Sequence, residues 1–261
     1  MIERTFQILP TVGSVKERKL WDNGILTWND FIDSDDISPL PQKNKERYDS
    51  ILNYAYQLLD EGDCSGLSTM IKSGEHWRLY DRFKDFVSFL DIETDGLERD
   101  STVTVVTVCK NNETITLTEG IDLTSETLKE ALEDTSMLVT FNGSCFDVPV
   151  LKYSFPDVNF DYPHFDLRFG CKKVGLKGGL KLIEKEIGIC RDESLAEVDG
   201  FEAVRLWKRW ERNGDREALD KLTEYNRADT VNLRTLADFV YGRMVTEYAG
   251  FDHTRSTEEG L

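Results

Sequence analysis

The chain has 261 residues, with 49 acidic against 32 basic side chains and a formal net charge of -17. That balance excludes nonspecific wrapping of nucleic acid by the whole surface, although a local cationic strip or bound metal can still receive a phosphate backbone. A hydrophobic content of 39% and a mean hydropathy of -0.44 describe a soluble globular chain. No apolar run approaches the roughly 20 residues needed to span a bilayer. Because MIERTFQILP lacks the pattern of a secretory signal, a cytoplasmic location is expected.

Residues 1–83 read as a small, mainly helical accessory region. Leu9, Val12, Leu20 and Ile25 surround Gly13 and Gly24 in a pattern of short helices joined by a turn. This is compatible either with a degenerate helix-hairpin-helix element on a nucleic-acid backbone or with a structural cap. The segment 38–45, SPLPQKNK, is a turn or linker. A helix follows through YDSILNYAYQLLDEG, with Ile51, Tyr54, Ala55, Leu58 and Leu59 as its apolar stripe and Gly62 as its stop. Ser73-Gly74 is expected to break the chain before EHWRLYDRF.

From residue 84 the pattern becomes α/β. Phe86–Ile92, Thr102–Cys109 and Glu113–Leu117 read as three strands of an antiparallel meander, the last two joined by a turn at 111–112. Leu128, Ala131 and Leu132 line a short helix, Leu138–Phe141 forms a strand, and Asn142-Gly143 opens the passage into a helix carrying Asp147. A short strand containing Phe160 is expected before Asp166. Leu180, Ile183 and Ile187 form a helical stripe ended by Gly188. Leu219, Leu222, Tyr225, Asp229, Leu233 and Leu236 recur at helical intervals and predict one long helix. The catalytic unit is expected over 84–245, with a polar tail at 246–261. The fold class is therefore α/β, a mixed sheet flanked by helices.

Chemistry concentrates in a few acids. Asp91 and Glu93 are two residues apart at the end of an apolar strand, so both leave the same face. An apolar strand tolerates such a pair best when a cation neutralises it. Tyr225 and Asp229 lie one helical turn apart. Hard oxygen donors favour Mg²⁺ or Mn²⁺. Cys64, Cys109, Cys145, Cys171 and Cys190 lack any CxxC spacing, which argues for free thiols rather than structural zinc. Between Asp166 and Glu184 the chain carries Arg168, Lys172, Lys173, Lys177 and Lys181 with no intervening acid, a candidate phosphate track or an ordinary solvated face. His76 in HWRLY reads as fixing a junction, and His164 as structural or as orienting the site, for instance by bonding Asp166.

These strings resemble the DEDD superfamily of 3′–5′ exonucleases, in particular the ribonuclease H-like exonuclease family of bacteria and archaea. The resemblance rests on FLDIETDGL at 89–97, LVTFNGSCFDVPVL at 138–151, HFDLR at 164–168 and YNRADTVNL at 225–233, with HWRLY at 76–80 extending it. It implies a ribonuclease H-like fold and two Mg²⁺ or Mn²⁺ ions held by Asp91, Glu93, Asp147 and Asp229. Tyr225 matches the tyrosine of the DEDDy subclass, whose role is to position the attacking water. The implied substrate is single-stranded DNA or RNA with a free 3′ end; separately, the turn location of Asn142-Gly143-Ser144 just before Asp147 suits these residues to orienting the terminal nucleotide. A structure-selective or ribonuclease H-like endonuclease and a noncatalytic nucleic-acid-binding module are the alternatives that the acids alone leave open.

Overall fold

The computed structural model describes residues 1–96, 98, 100–111, 113–196 and 198–249. Four helices precede the sheet: α1 (Ser14–Asp22), α2 (Trp28–Asp33), α3 (Lys45–Asp60) and α4 (Cys64–Thr69). Strands β1 (Val87–Thr94), β2 (Val103–Lys110) and β3 (Glu113–Thr118) follow, then α5 (Ser125–Ala131), β4 (Met137–Thr140), α6 (Asp147–Ser154) and β5 (His164–Asp166). The chain continues through α7 (Leu167–Lys173), α8 (Leu180–Ile187), α9 (Glu193–Ala196), α10 (Gly200–Asn213) and α11 (Arg216–Ala249). The sheet order is β3-β2-β1-β4-β5. The first three strands pair antiparallel, whereas β4 and β5 add in parallel.

Strand β1 sits at the centre of this mixed sheet, and its alternation sorts its side chains between two cores. Val87 and Phe89 join a core that runs from Ile2 through the N-terminal helices to Val245 on α11. Leu90 and Ile92 join the opposite core beneath α5 and α6. Asp91 and Glu93 continue the face of Val87 and Phe89, towards α11, because side chains alternate along a strand. The register slips after Glu93, the kind of irregularity that bends a strand end away from regular pairing.

The N-terminal region shares the sheet's own core. Leu9, Val12, Leu20 and Ile25 are buried there, so the apolar pattern of this segment is spent on packing. The Glu17 carboxylate accepts from Thr5 Oγ1 at 2.6 Å, Phe6 N at 2.8 Å and Gln7 Nε2 at 2.8 Å. Arg78, from the HWRLY string, closes this buried network at 3.0 Å. A buried charge so paired is costly to break.

Four expectations are corrected. Helix α3 buries Tyr48, Leu52, Ala55, Leu58 and Leu59, while Tyr54 is exposed; the inward stripe is set by Tyr48 and Leu52, a turn earlier than expected. Ser73-Gly74 does not break the chain but opens a 3₁₀ stretch, Ser73–Leu79. Phe160 is a buried loop residue, and the edge strand is His164–Asp166 itself. Helix α11 continues past residue 245 to Ala249. Residues 250–261 of the expected tail lie outside the described residues.

Candidate active site

Two elements supply the acidic centre. Strand β1 presents Asp91 and Glu93, and α11 presents Tyr225 and Asp229 one turn apart, so the strand and helix faces meet. One carboxylate oxygen from each of Asp91, Glu93 and Asp229 lies within 4.8 Å of the others. Asp147, the first residue of α6, joins them on the wall of one cavity of about 850 Å³.

Asp147 is delivered by the loop after β4, and that loop is held by Asp166. Its carboxylate accepts from Asn142 N at 2.8 Å and Ser144 N at 3.1 Å, and from the Ser144 hydroxyl. Asn142 adopts φ 72°, a left-handed conformation that asparagine tolerates better than most residues. Gly143 donates to Thr140 Oγ1 at 3.0 Å, and a Cβ there would lie 2.4 Å from that oxygen. Only glycine fits without displacing the threonine. His164 does not bond Asp166: its Nε2 meets Thr140 Oγ1 at 2.8 Å. Its backbone N–H donates to His76 Nδ1 at 3.2 Å, and His76 Nε2 meets Ser68 O at 3.2 Å. His76 thus pins the 3₁₀ stretch to the sheet edge as its neutral Nε2–H form.

The acids disturb one another strongly. Burial, followed by the charges of Asp147, Asp229 and Glu93, holds the Asp91 carboxyl well above the usual range. Burial and then Asp229 push Glu93 up to about 8, against a hydrogen bond from Asn226. Asp147 rises to about 7 through burial and Asp166. Burial also raises Asp229 to about 6, with the Arg191 guanidinium working against it. Hard oxygen donors that are crowded, desolvated and short of positive charge fit a divalent cation, which would neutralise them. Tyr225 hydrogen-bonds Asp229, and burial beside these acids drives its phenol far above the ordinary value. It therefore keeps its proton at neutral pH.

The cationic strip divides. Asn142, Arg168, Lys172 and Lys177 line the acidic cavity, and Arg168 bonds the Asn142 side-chain oxygen. Lys181 Nζ lies 5.0 Å from the centre of the Tyr225 ring. Lys173 does not belong with them. Its ammonium donates to Gly74 O at 2.8 Å and pairs with Glu75 at 3.4 Å, beside a different cavity. One residue further along α7 is about 100° around the helix, enough to turn Lys173 away from Lys172.

Two partners of the acids escaped sequence reasoning. Asn226 Nδ2 donates to Asp91 Oδ2 at 2.7 Å. Its position inside YNRAD, beside Tyr225, was the available signal. Arg191 bridges Glu184 and Asp229, yet nothing in IGICRDES marks it. Both leave a buried polar atom, Asn226 Oδ1 and Arg191 Nη2, with no hydrogen-bond partner among the described residues.

The mixed sheet, its flanking helices and this acidic centre define a ribonuclease H-like protein. The chain belongs to the RNase H superfamily, whose family model matches residues 88–241; members of that superfamily are typically metal-dependent nucleases. Comparison with curated proteins finds no match. Among solved structures, the chain is similar to the family B DNA polymerase from the hyperthermophilic archaeon Pyrobaculum calidifontis, at 15% identity and a TM-score of 0.46. That similarity covers 60% of this chain and 25% of the polymerase chain. No helix among the described residues is long and apolar enough to cross a membrane.

Proposed function

We propose that the protein is a divalent-metal-dependent 3′–5′ exonuclease of the DEDDy type, acting on single-stranded nucleic acid. The observation that carries this reading is the convergence of Asp91, Glu93, Asp147, Asp229 and Tyr225 on one cavity. Asp91, Glu93, Asp147 and Asp229 would hold two Mg²⁺ or Mn²⁺ ions, which supply Lewis-acid stabilisation of charge on the scissile phosphate.

The remaining work falls to the chain's own groups. Asn226 orients Asp91 from behind through its 2.7 Å hydrogen bond, so a carboxylate oxygen is presented in one direction. Tyr225 retains its proton and donates to Asp229. It serves as a hydrogen-bonding post for the attacking water rather than as a base or nucleophile. Arg168, Lys172 and Lys177 face the same cavity and would fix phosphates, which position a strand without reading its sequence. Polarity towards the 3′ end follows from the resemblance to DEDDy exonucleases, whereas the carboxylates serve either end equally.

The test is product-resolved digestion of 5′-labelled and circular single strands of DNA and RNA with Mg²⁺ or Mn²⁺. Successive 3′ shortening with circular strands intact supports the reading. Internal cutting of circles would replace it with the endonuclease alternative, and absence of any metal-dependent cleavage would leave a binding module. Tyr225→Phe should lower turnover while leaving calorimetric metal affinity within about twofold.

A further inference from the structure

A second cavity, of about 600 Å³, opens beside the acidic one along α10. Gly200 lines both. It is the first residue of α10, and a Cβ built on it meets no atom within 4 Å. A Cβ there would stand in open space where the two cavities share a wall.

Beyond Gly200 the wall is made by Phe201, Val204, Arg205 and Lys208. Their spacing of three and four residues puts them on one helical face. Phe201 is 70% exposed, a large aromatic ring that α10 does not bury, although the same helix sends Ala203, Leu206 and Trp207 inward. Arg205 and Lys208 are also exposed, and Arg205 meets Glu202 in a surface pair at 3.2 Å, an interaction that costs little to exchange. Two acids share this wall, but both are engaged by backbone donors. Asp199 Oδ1 caps α10 by accepting from Glu202 N at 2.8 Å, and Asp95 Oδ1 accepts from Thr102 N at 2.8 Å. Both keep a second oxygen and their charge, at the Gly200 end of the wall, whereas the face beyond it offers one ring and two cations, the combination that suits a base followed by phosphates.

We propose that the single strand leaves the acidic centre past Gly200 and runs along α10, with a base on Phe201 and backbone phosphates on Arg205 and Lys208. The inference rests on the nuclease reading above and adds the path of the strand's 5′-ward part. That part is the nucleotides upstream of the scissile bond, which the first cavity does not need in order to hold the terminal one.

The experiment compares 5′-fluorescein-labelled oligothymidylates of three and ten nucleotides by anisotropy. It uses the full chain carrying Asp91→Asn, with Mg²⁺ present, so that bound strands stay intact. Adding Phe201→Ala, Arg205→Gln and Lys208→Gln together should remove about tenfold or more of the affinity gained between the two lengths. It should also flatten the salt dependence of decamer binding by about 1.4 in log–log slope, or about 0.7 for each phosphate no longer neutralised. Gly200→Leu, whose Cβ has no atom within 4 Å, should reduce the same length gain by narrowing the space that the two cavities share. An unchanged length gain and salt slope in both variants would overturn the path. Should the parent bind neither oligomer and the wild type shorten no strand, the nuclease reading itself falls; a wild type that shortens strands while the variants bind like the parent refutes the path alone.

Discussion

Arg191→Met should destabilise the protein in the presence of a chelator and increase its response to Mg²⁺. The guanidinium lies between Glu184 and Asp229, and the three side chains are only 7%, 1% and 9% exposed, in the order Arg191, Glu184, Asp229. Methionine fills much of the same volume but leaves two buried carboxylates without their cation, a loss of about 3–5 kcal/mol. The lower end applies here. Asn232 Nδ2 still donates to Glu184 at 3.1 Å, and Tyr225 still bonds Asp229. A loss of about 3 kcal/mol corresponds to a fall in melting temperature of about 6–12 °C for a chain of this size. A divalent ion binding only the folded state raises stability in proportion to the logarithm of its concentration over its dissociation constant. Because Arg191 and that ion compete for Asp229, the ion should bind the variant more tightly. Scanning calorimetry with EDTA and then increasing Mg²⁺ tests both parts. A variant melting within about 2 °C of wild type in EDTA would refute the buried-charge argument, and equal Mg²⁺-induced gains in the two proteins would refute the competition.

Asp91→Asn should cut metal-dependent hydrolysis by about a hundredfold or more, or about 3 kcal/mol. Its fold, read by circular dichroism, should stay intact, because the amide relieves repulsion among the acids; normal turnover by the folded variant would remove Asp91 from the centre. Lys172→Gln with Lys177→Gln should raise KM on a single strand, whereas Lys173→Gln should leave KM within about twofold, since Lys173 pairs with Glu75 outside the cavity. Equal effects in steady-state assays would return Lys173 to the track. His164 is held down at about 4 by burial, with His76 adding to the effect and Asp166 opposing it. The unfolded chain therefore takes up the proton first as pH falls below 6.5. The stability that His164 contributes is complete above that pH and is lost on the way to about 4, reaching about 2 kcal/mol by pH 5. Urea unfolding at pH 7 and pH 5 measures it, and a His164→Gln protein with the same acid loss as wild type would refute it.

What was legible in the sequence was whatever a single period could encode. Val87 and Phe89 against Leu90 and Ile92 alternate between two cores, and the same alternation puts Asp91 and Glu93 on one face. Leu219 to Leu236 repeat at helical intervals, and α11 runs through all of them. The three-residue edge strand His164–Asp166 is too short to show a period, so Phe160, the apolar residue nearby, drew the expectation. A run of like charges carries no record of direction either. Lys172 and Lys173 are adjacent in sequence but serve different cavities because α7 rotates between them. Arg191 was invisible for a related reason: it reaches Asp229, 38 residues away, from a connection whose composition resembles that of any loop.

The net charge of -17 and the cations around the site act on different scales, which gives salt two opposing effects on substrate capture. At physiological ionic strength the field of an exposed charge is screened beyond about 8 Å. With divalent cations neutralising the acidic centre, a strand entering the cavity would then meet Arg168, Lys172 and Lys177 much more strongly than the distant surface acids. At low ionic strength the screening length grows to about 30 Å at 0.01 M, and the whole acidic surface repels the approaching polyanion. Association of a single strand should therefore quicken as salt rises from about 10 to 100 mM, while dissociation quickens too as the local ion pairs weaken. Stopped-flow anisotropy on the Asp91→Asn protein separates the two rates. An association rate that falls steadily over that range would mean that the cations steer the strand from a distance, and that the acidic surface faces away from its approach.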